Sequence, residues 1–373
     1  MTSGGFEPVE VPSGAHVVVG MSGGVDSSVT AYLLKEQGCR VSGLFMVNWT
    51  EDEEGYCTAA QDFQDARSVA EELDIPLHRV DFSVEYRERV FAQFLADYAA
   101  GKTPNPDMLC NREIKFQPFR DYAQRLGADF VATGHYARIA MAADGPVLLQ
   151  AADSNKDQTY FLAAVDRAQF RDVLFPLGEL TKPEVRAIAT RAGLPVHRKK
   201  DSTGICFIGE REFRDFLSTY LKPNPGDIVD DSGHRIGRHQ GLMYYTLGQR
   251  RGLGIGGTRG GREAPWYVVA KDPEHNRLIV AQDAAHPLLM SGEIDTAPFH
   301  WIRRPDPLPE QVQARIRHRQ ALQACHAEPL AGGCVRVHFD APQRAAVAGQ
   351  YAVLYAGEEC VGCGEIESAR PLG

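Results

Sequence analysis

His16-Val-Val-Val-Gly-Met-Ser-Gly-Gly-Val-Asp-Ser-Ser28 is the stretch from which the rest of the chain can be read. Its first part, His16 to Gly20, is a short β-branched run that predicts a buried strand. Val29 to Gln37 then has helical apolar spacing and stops before Gly38, a residue suited to the position just past a helix end. The turn between them, Met21 to Ser28, joins a strand to a helix N-terminus, where unpaired N–H groups and a partial positive charge attract anions. Gly23 and Gly24 let the backbone approach such an anion closely, while Ser22, Ser27 and Ser28 add hydroxyl donors. The turn lacks both the Gly-Lys-Ser/Thr ending of a Walker loop and the spacing of a dinucleotide fingerprint.

The same alternation continues outward. Val41 to Val47, Leu77 to Phe82 and Asp129 to Thr133 read as strands. Thr58 to Leu73 and Val84 to Ala100 read as helices, and the proline-containing loop Thr103 to Asn111 leads into a helix ending near Gly127. Strands alternating with helices of this length predict an α/β fold with a doubly wound, mainly parallel sheet. Ligands of such sheets lie beyond the carboxyl ends of the strands. The loop after the first strand, Met46 after the second and Gly134-His135 after the fourth all fall there. Thr181 to Glu184 has the Thr-x-x-Glu pattern of a capping box and starts another helix.

Beyond about Tyr220 helical periodicity fades, and short alternating runs appear at Trp266 to Ala270, Leu278 to Ala281, Cys334 to Phe339 and Tyr351 to Tyr355. This texture predicts a small central module followed by a C-terminal β-barrel-like domain, with divisions at 1–211, 212–284 and 285–373.

The 373 residues are 43% apolar and 24% charged, enough for a sizeable core. No run of about 18 apolar residues occurs, so no membrane span is expected. Met1 to Gly14 has neither a basic start nor an apolar stretch, and a cytoplasmic address is expected. The net charge of −9 disfavours nucleic acid as a partner for the molecule as a whole. The charge is unevenly spread, however. From Ser232 to Arg262 there is no acidic residue but six arginines, with Tyr244 and Tyr245 interleaved, a pattern that can meet phosphates and bases. Arg315, Arg317, His318 and Arg319 form a second basic cluster.

Eight cysteines are too few for a disulfide scaffold in a chain of this length. Two have unusual settings. In Asn105-Pro-Asp-Met-Leu-Cys-Asn-Arg-Glu-Ile-Lys-Phe116, Cys110 falls where a loop becomes a helix, with Arg112 and Lys115 close by and Asp107 three residues earlier. A helix N-terminus and nearby cations favour the thiolate, and Asp107 is a candidate acid or base. Cys206 lies in Lys199-Lys-Asp-Ser-Thr-Gly-Ile-Cys-Phe-Ile-Gly209, flanked by glycines and preceded by Arg198 to Lys200. Cys360-Val-Gly-Cys363, with Cys325 and Cys334 in the same region, has no accompanying His pair and predicts unpaired strand thiols, with no metal site.

The Ser-Gly-Gly-Val-Asp-Ser turn resembles the PP-loop of ATP pyrophosphatases, which implies a PP-loop/HUP-like domain that cuts ATP between its α and β phosphates. Adding Asn-Pro-Asp-x-x-Cys-Asn-x-x-Ile-Lys-Phe, Ala-Thr-Gly-His-Tyr, Asn-Lys-Asp-Gln-x-Tyr-Phe-Leu, Asp-Ser-Thr-Gly-Ile-Cys-Phe-Ile and Gly-Leu-Met-Tyr-x-Thr-Leu-Gly-Gln-Arg narrows the likeness. Together, and in this order from about His16 onward, they resemble the tRNA-specific 2-thiouridylase family.

The resemblance implies replacement of the C2 oxygen of the anticodon wobble uridine by sulfur. It implies that Gly20, Met21, Ser22, Gly23, Gly24, Val25, Asp26 and Ser27 bind ATP phosphates, with Met46 and Gly134 at the adenosine. It assigns Cys206 a persulfide and makes Cys110 the other catalytic thiol, either releasing sulfide from that persulfide or resolving it as a disulfide. Asn105, Pro106 and Asp107 would contact the target base, with Asp107 as general acid/base. His135, Lys156, Asp157, Gln158, Arg317, His318 and Gln350 would touch tRNA. Position 318 is often Tyr in the family, where this chain has His. The implied partners are tRNAs with Lys-, Glu- and Gln-type anticodons and a sulfur-relay protein or cysteine desulfurase; Mg²⁺ is expected with ATP. A synthetase of the same loop superfamily using ammonia would need no paired cysteines and would bring a glutaminase signature, which the sequence does not show.

Overall fold

The computed structural model describes residues 6–49, 59–201, 207–208, 211–255 and 264–372. Cys206, Arg259 and Arg262 lie outside them.

The chain opens with β1 (His16–Gly20), α1 (Val25–Glu36), β2 (Arg40–Val47), α2 (Ala59–Glu72) and β3 (Leu77–Asp81). Val17, Val18 and Val19 are completely buried, as a strand with layers on both faces requires. Next come a helix whose Ser83–Tyr86 and Ala92–Ala99 portions are joined by a π turn at Arg87–Phe91, then α3 (Pro106–Cys110), the π turn Asn111–Lys115, α4 (Pro118–Arg125) and β4 (Phe130–Ala132). A hairpin, β5 (Arg138–Ala142) and β6 (Gly145–Leu149), precedes β7 (Val173–Leu174) and α5 (Lys182–Arg191). The first sheet runs β3-β2-β1-β4-β7 and is parallel throughout. Its order reverses between β1 and β4. The expected doubly wound sheet is therefore present, and its ligand crevice opens between the loops after those two strands.

A helix at Phe213–Tyr220 leads into a four-stranded sheet of β8 (Gly226–Asp230), β9 (Arg235–His239), β10 (Tyr267–Asp272) and β11 (Arg277–Ala281) in the order β9-β8-β11-β10. Phe91 and Phe94 from the first unit pack edge-on against Phe216 and Phe213 of that helix, and one apolar cluster runs from there to Val268 and Leu278.

The last unit is a closed antiparallel barrel of β12 (Met290–Thr296), β13 (Val312–Arg315), β14 (Gln323–Pro329), β15 (Val335–Arg344), β16 (Tyr351–Ala356) and β17 (Glu359–Pro371). Each strand pairs with two neighbours, and the β16–β17 ladder completes the ring. The β5–β6 hairpin of the first unit attaches to this barrel through Leu149 opposite Glu359.

Three expectations need correction. Cys110 is not where loop turns into helix. Asn105 caps α3, accepting from Met108 N at 3.3 Å, and Pro106 takes the first helical position, so Cys110 is the fifth helical residue and only 4% exposed. The helix dipole fades within the first turn and gives this thiol little. Tyr244 and Tyr245 are buried rather than presented to bases, and Tyr244 Oη donates to Leu221 O at 3.0 Å. Arg315 is buried as well, paired at 2.8 Å with an Asp157 carboxylate that is wholly inside.

Candidate active site

The turn after β1 is built from its own hydroxyls. Ser27 Oγ accepts from Ser22 N at 3.2 Å and donates to Gly24 O at 3.1 Å, while Ser28 Oγ donates to the same carbonyl at 2.8 Å. Gly23 has φ +72°, and a Cβ there would lie 2.2 Å from Asp62 O. Gly134, after β4, lies against the same helix start, where a Cβ would be 2.8 Å from Ser27 N. Both glycines are fixed by close approach, and between them the N-terminus of α1 faces the crevice. Ser22 is exposed at its mouth; Met46, at the end of β2, is partly buried.

Sequence reading named Asp26 and Lys156 but missed the ion-pair network around this turn. Lys182 Nζ bridges both oxygens of Asp26, at 2.7 and 2.9 Å, and Asp201 at 2.8 Å. Tyr136 Oη donates to Asp26 at 3.0 Å, and burial followed by the Asp26 charge pushes that phenol far above its usual range, so it stays protonated. Lys156 and Arg186 also hold Asp201, at 2.8 and 2.7 Å. Burial opposes ionisation of Asp201, but hydrogen bonds from Lys156 and Lys182 outweigh it and bring its pKa to about 2. Lys199 Nζ touches Gly23 O at 3.1 Å and pairs with Asp62 and Asp65. One local sign existed: Lys182 is the first residue of α5, where a cation opposes the helix dipole and so needs another reason to be there.

The second half of the site is α3. Gln350 Nε2 donates to Thr103 O at 2.8 Å and Pro104 O at 3.3 Å, and Thr103 N donates to Ala348 O at 2.9 Å. The barrel thereby holds the turn that presents Asn105, Pro106 and Asp107. Asp107 is open to solvent although protein surrounds the position; that desolvation raises its pKa, with Lys115 and His318 opposing. Asn111 Nδ2 donates to Phe161 O at 2.9 Å, anchoring the helix one residue past Cys110. His318 Nε2 donates to Asp157 O at 3.0 Å and its ring lies 4.4 Å from that of Phe161. His135 is buried against Phe116 and Phe175, bonded to Thr133 Oγ1 at 2.7 Å; burial and then Lys115 hold its pKa well below the usual value.

The structure thus gathers Asn105 to Asp107, Cys110, His135, His318 and Gln350 at the junction of the first unit and the barrel. Lys156 and Gln158 flank them; Gln158 accepts from Tyr136 N at 2.9 Å, whereas the Asp157 carboxylate is committed to Arg315. Arg317 is exposed and donates to Arg344 O at 2.7 Å. Cys360 and Cys363 are buried on β17, and burial pushes the Cys363 thiol up to about 12. Among the described residues there is no cluster of three or more His, Cys, Asp or Glu able to hold a metal ion.

Comparison with known proteins bears on this arrangement directly. A protein of Sodalis glossinidius named tRNA-specific 2-thiouridylase MnmA is 58% identical over 360 residues, spanning 95% of this chain and 97% of its own length. Another of that name from Alcanivorax borkumensis is 55% identical, spanning 96% and 99%. This chain belongs to the tRNA-specific 2-thiouridylase family. A third 2-thiouridylase, from Escherichia coli O1:K1, is 54% identical over 359 residues. Domain models match in series: a tRNA methyl transferase HUP domain over 15–210, a tRNA methyl transferase PRC-barrel domain over 214–282 and an aminomethyltransferase beta-barrel domain over 291–366. The HUP match coincides with the parallel sheet, and the 2-thiouridylases align across all three units. Among the described residues no helix is long and apolar enough to cross a membrane.

Proposed function

We infer that this chain catalyses ATP-dependent 2-thiolation of uridine in tRNA, as a tRNA-uridine 2-sulfurtransferase. The observation that carries it is an intact Ser-Gly-Gly-Val-Asp-Ser turn after β1 together with the thiol-bearing helix α3, in a chain aligned over nearly its whole length with 2-thiouridylases. The matched models are described by methyl transfer, but a turn suited to a triphosphate and a cysteine beside an acid favour thiolation.

We further propose the course of the reaction. The C2 oxygen of the wobble uridine attacks the α-phosphorus of ATP and pyrophosphate leaves. This step is needed because a carbonyl oxygen is a very poor leaving group, whereas AMP is a good one. Sulfur from a Cys206 persulfide then replaces AMP at C2. Cys110 either frees hydrosulfide from the persulfide before the attack or cleaves the resulting S–S linkage after it. Both routes end in a Cys110–Cys206 disulfide, which an external thiol must reduce. Asp107, with its raised pKa, suits proton exchange at the base. The residues at 20–27, with Met46 and Gly134, take ATP; Asn105 to Asp107 take the base; His135, Lys156 to Gln158, Arg317, His318 and Gln350 line the tRNA approach. Of these, His135 and Asp157 act through the groups they position. Mg²⁺ would arrive with the nucleotide, held by its phosphates. Anticodons of the Lys, Glu and Gln type, a relay protein or desulfurase as sulfur donor, a cytoplasmic setting and divisions near 211 and 284 complete the proposal.

The expected signature is nucleotide chemistry. With tRNA, ATP and sulfide, chromatography should show AMP and pyrophosphate forming only when tRNA is present. ADP and phosphate as products, or tRNA methylation without ATP cleavage, would refute the reading.

A further inference from the structure

Lys115 closes the π turn that follows Cys110, and its side chain is partly buried. Lysines 156, 182 and 199, around the phosphate-binding turn, are all paired with aspartates. Among the described residues Lys115 has no hydrogen-bond or ion-pair partner. With no hydrogen-bonded counter-charge, a partly buried ammonium is placed to pair directly with an anion supplied from outside the chain.

The position of Lys115 narrows what that charge is. The π turn that it closes continues directly from α3, which carries Asp107 in its first turn, and the next residue, Phe116, packs on His135 with ring centroids 6.1 Å apart. His135 directly follows Gly134, where an added Cβ would lie 2.8 Å from Ser27 N at the start of α1. Lys115 therefore stands between the phosphate-binding turn and the helix that carries Asp107 and Cys110. The β and γ phosphates belong over the turn and the base belongs at Asp107. The one group bonded to both sides during the reaction is the α-phosphate. His135, held neutral, does not compete for it.

We propose that Lys115 binds the α-phosphate of ATP and of the adenylated uridine, and stabilises AMP as it leaves. The inference rests on the thiolation reading above. When the uridine oxygen attacks, the bond from the α-phosphorus to the bridging oxygen breaks and its electron pair departs with pyrophosphate. When sulfur attacks C2, the C2–O bond breaks and its pair stays on AMP, whose phosphate gains a unit of negative charge. A fixed ammonium at that phosphate interacts more strongly after the gain than before it, which is the condition for accelerating the step. Lys115 needs neither to give nor to take a proton.

The test compares ligands that differ only in the phosphate. In the full-length Lys115→Met protein, calorimetric affinity for AMP should fall about 10- to 100-fold, the range for losing a charge-assisted hydrogen bond, with adenosine affinity within about twofold of wild type. Lys115→Arg should regain part of the AMP affinity, and Lys115→Gln should behave like Met. The melting temperature should not fall, because no internal ion pair is lost. Equal losses for AMP and adenosine, or unchanged AMP affinity, would overturn the assignment. Absence of 2-thiouridine from wild-type reactions would instead overturn the thiolation reading while leaving the AMP–adenosine comparison readable.

Discussion

Replacing Cys110 by Ser removes tRNA thiolation, by at least about 10³-fold, while ATP affinity stays within about twofold of wild type. The hydroxyl fills nearly the same space but is a far weaker nucleophile toward sulfur and cannot close a disulfide. The burial of Cys110 sharpens this prediction. A thiol that is 4% exposed on an ordered helix cannot trade places with another cysteine, and its reactivity has to come from neighbours rather than from solvent. Asp107 one turn earlier and Lys115 five residues later are those neighbours in the sequence of the helix. Cys325→Ser is the matching control. Cys325 is equally buried, but it sits in the barrel, where burial pushes its thiol up to about 12 and its Sγ lies 3.6 Å from Val312 O. That variant should lose stability yet keep thiolation. Mass spectrometry of digested tRNA distinguishes the two, and normal 2-thiouridine from Cys110→Ser would end the two-cysteine mechanism.

Gly23→Ala should lower ATP affinity about 10²- to 10³-fold. Two costs coincide at this position. The backbone at φ +72° disfavours any residue with a Cβ by roughly 1–2 kcal/mol, and the added methyl would meet a backbone carbonyl, Asp62 O, at 2.2 Å. A carbonyl cannot rotate away as a side chain can, so α2 and the turn must separate. Separation also breaks the bridge in which Lys199 joins Gly23 O to Asp62 and Asp65. Gly14→Ala isolates the first cost, because Gly14 has φ +81° with nothing within 4 Å of the added carbon. Titration with a non-hydrolysable ATP analogue should find Gly14→Ala unchanged and Gly23→Ala greatly weakened. Affinities within about threefold of each other would mean that the turn does not hold the nucleotide.

What could be read in the sequence was what is encoded locally. The continuous apolar run at Val17 to Val19 marks a strand buried on both faces, and Thr181 with Glu184 does form the capping box its spacing promises, at 2.7 Å from Thr181 N to the carboxylate. The turn at Ser22 to Ser28 and the α3 motif were legible for the same reason: their glycines, prolines and caps act within a few residues. Long-range pairing left no such trace. Arg315 looked like one member of a surface cluster because Asp157, 158 residues away, is invisible in a local window. Asp26 and Lys182 are 156 residues apart, so the salt bridge beside the phosphate turn could be found only in three dimensions. Tyr244 and Tyr245 showed aromatic character but not direction, and the sheet they pack beneath decided for burial. The β5–β6 hairpin was missed although Asp144-Gly145 is a turn signal, because its strands complete their pairing with β17, at the far end of the chain.

The most direct measurement is nucleoside mass spectrometry on unmodified tRNA incubated with the purified full-length protein, ATP, Mg²⁺ and a sulfur source. The account predicts one new 2-thiouridine at the wobble position of the anticodon, absent when ATP is omitted. Sulfur elsewhere in the tRNA, or no 2-thiouridine with all components present, would contradict it.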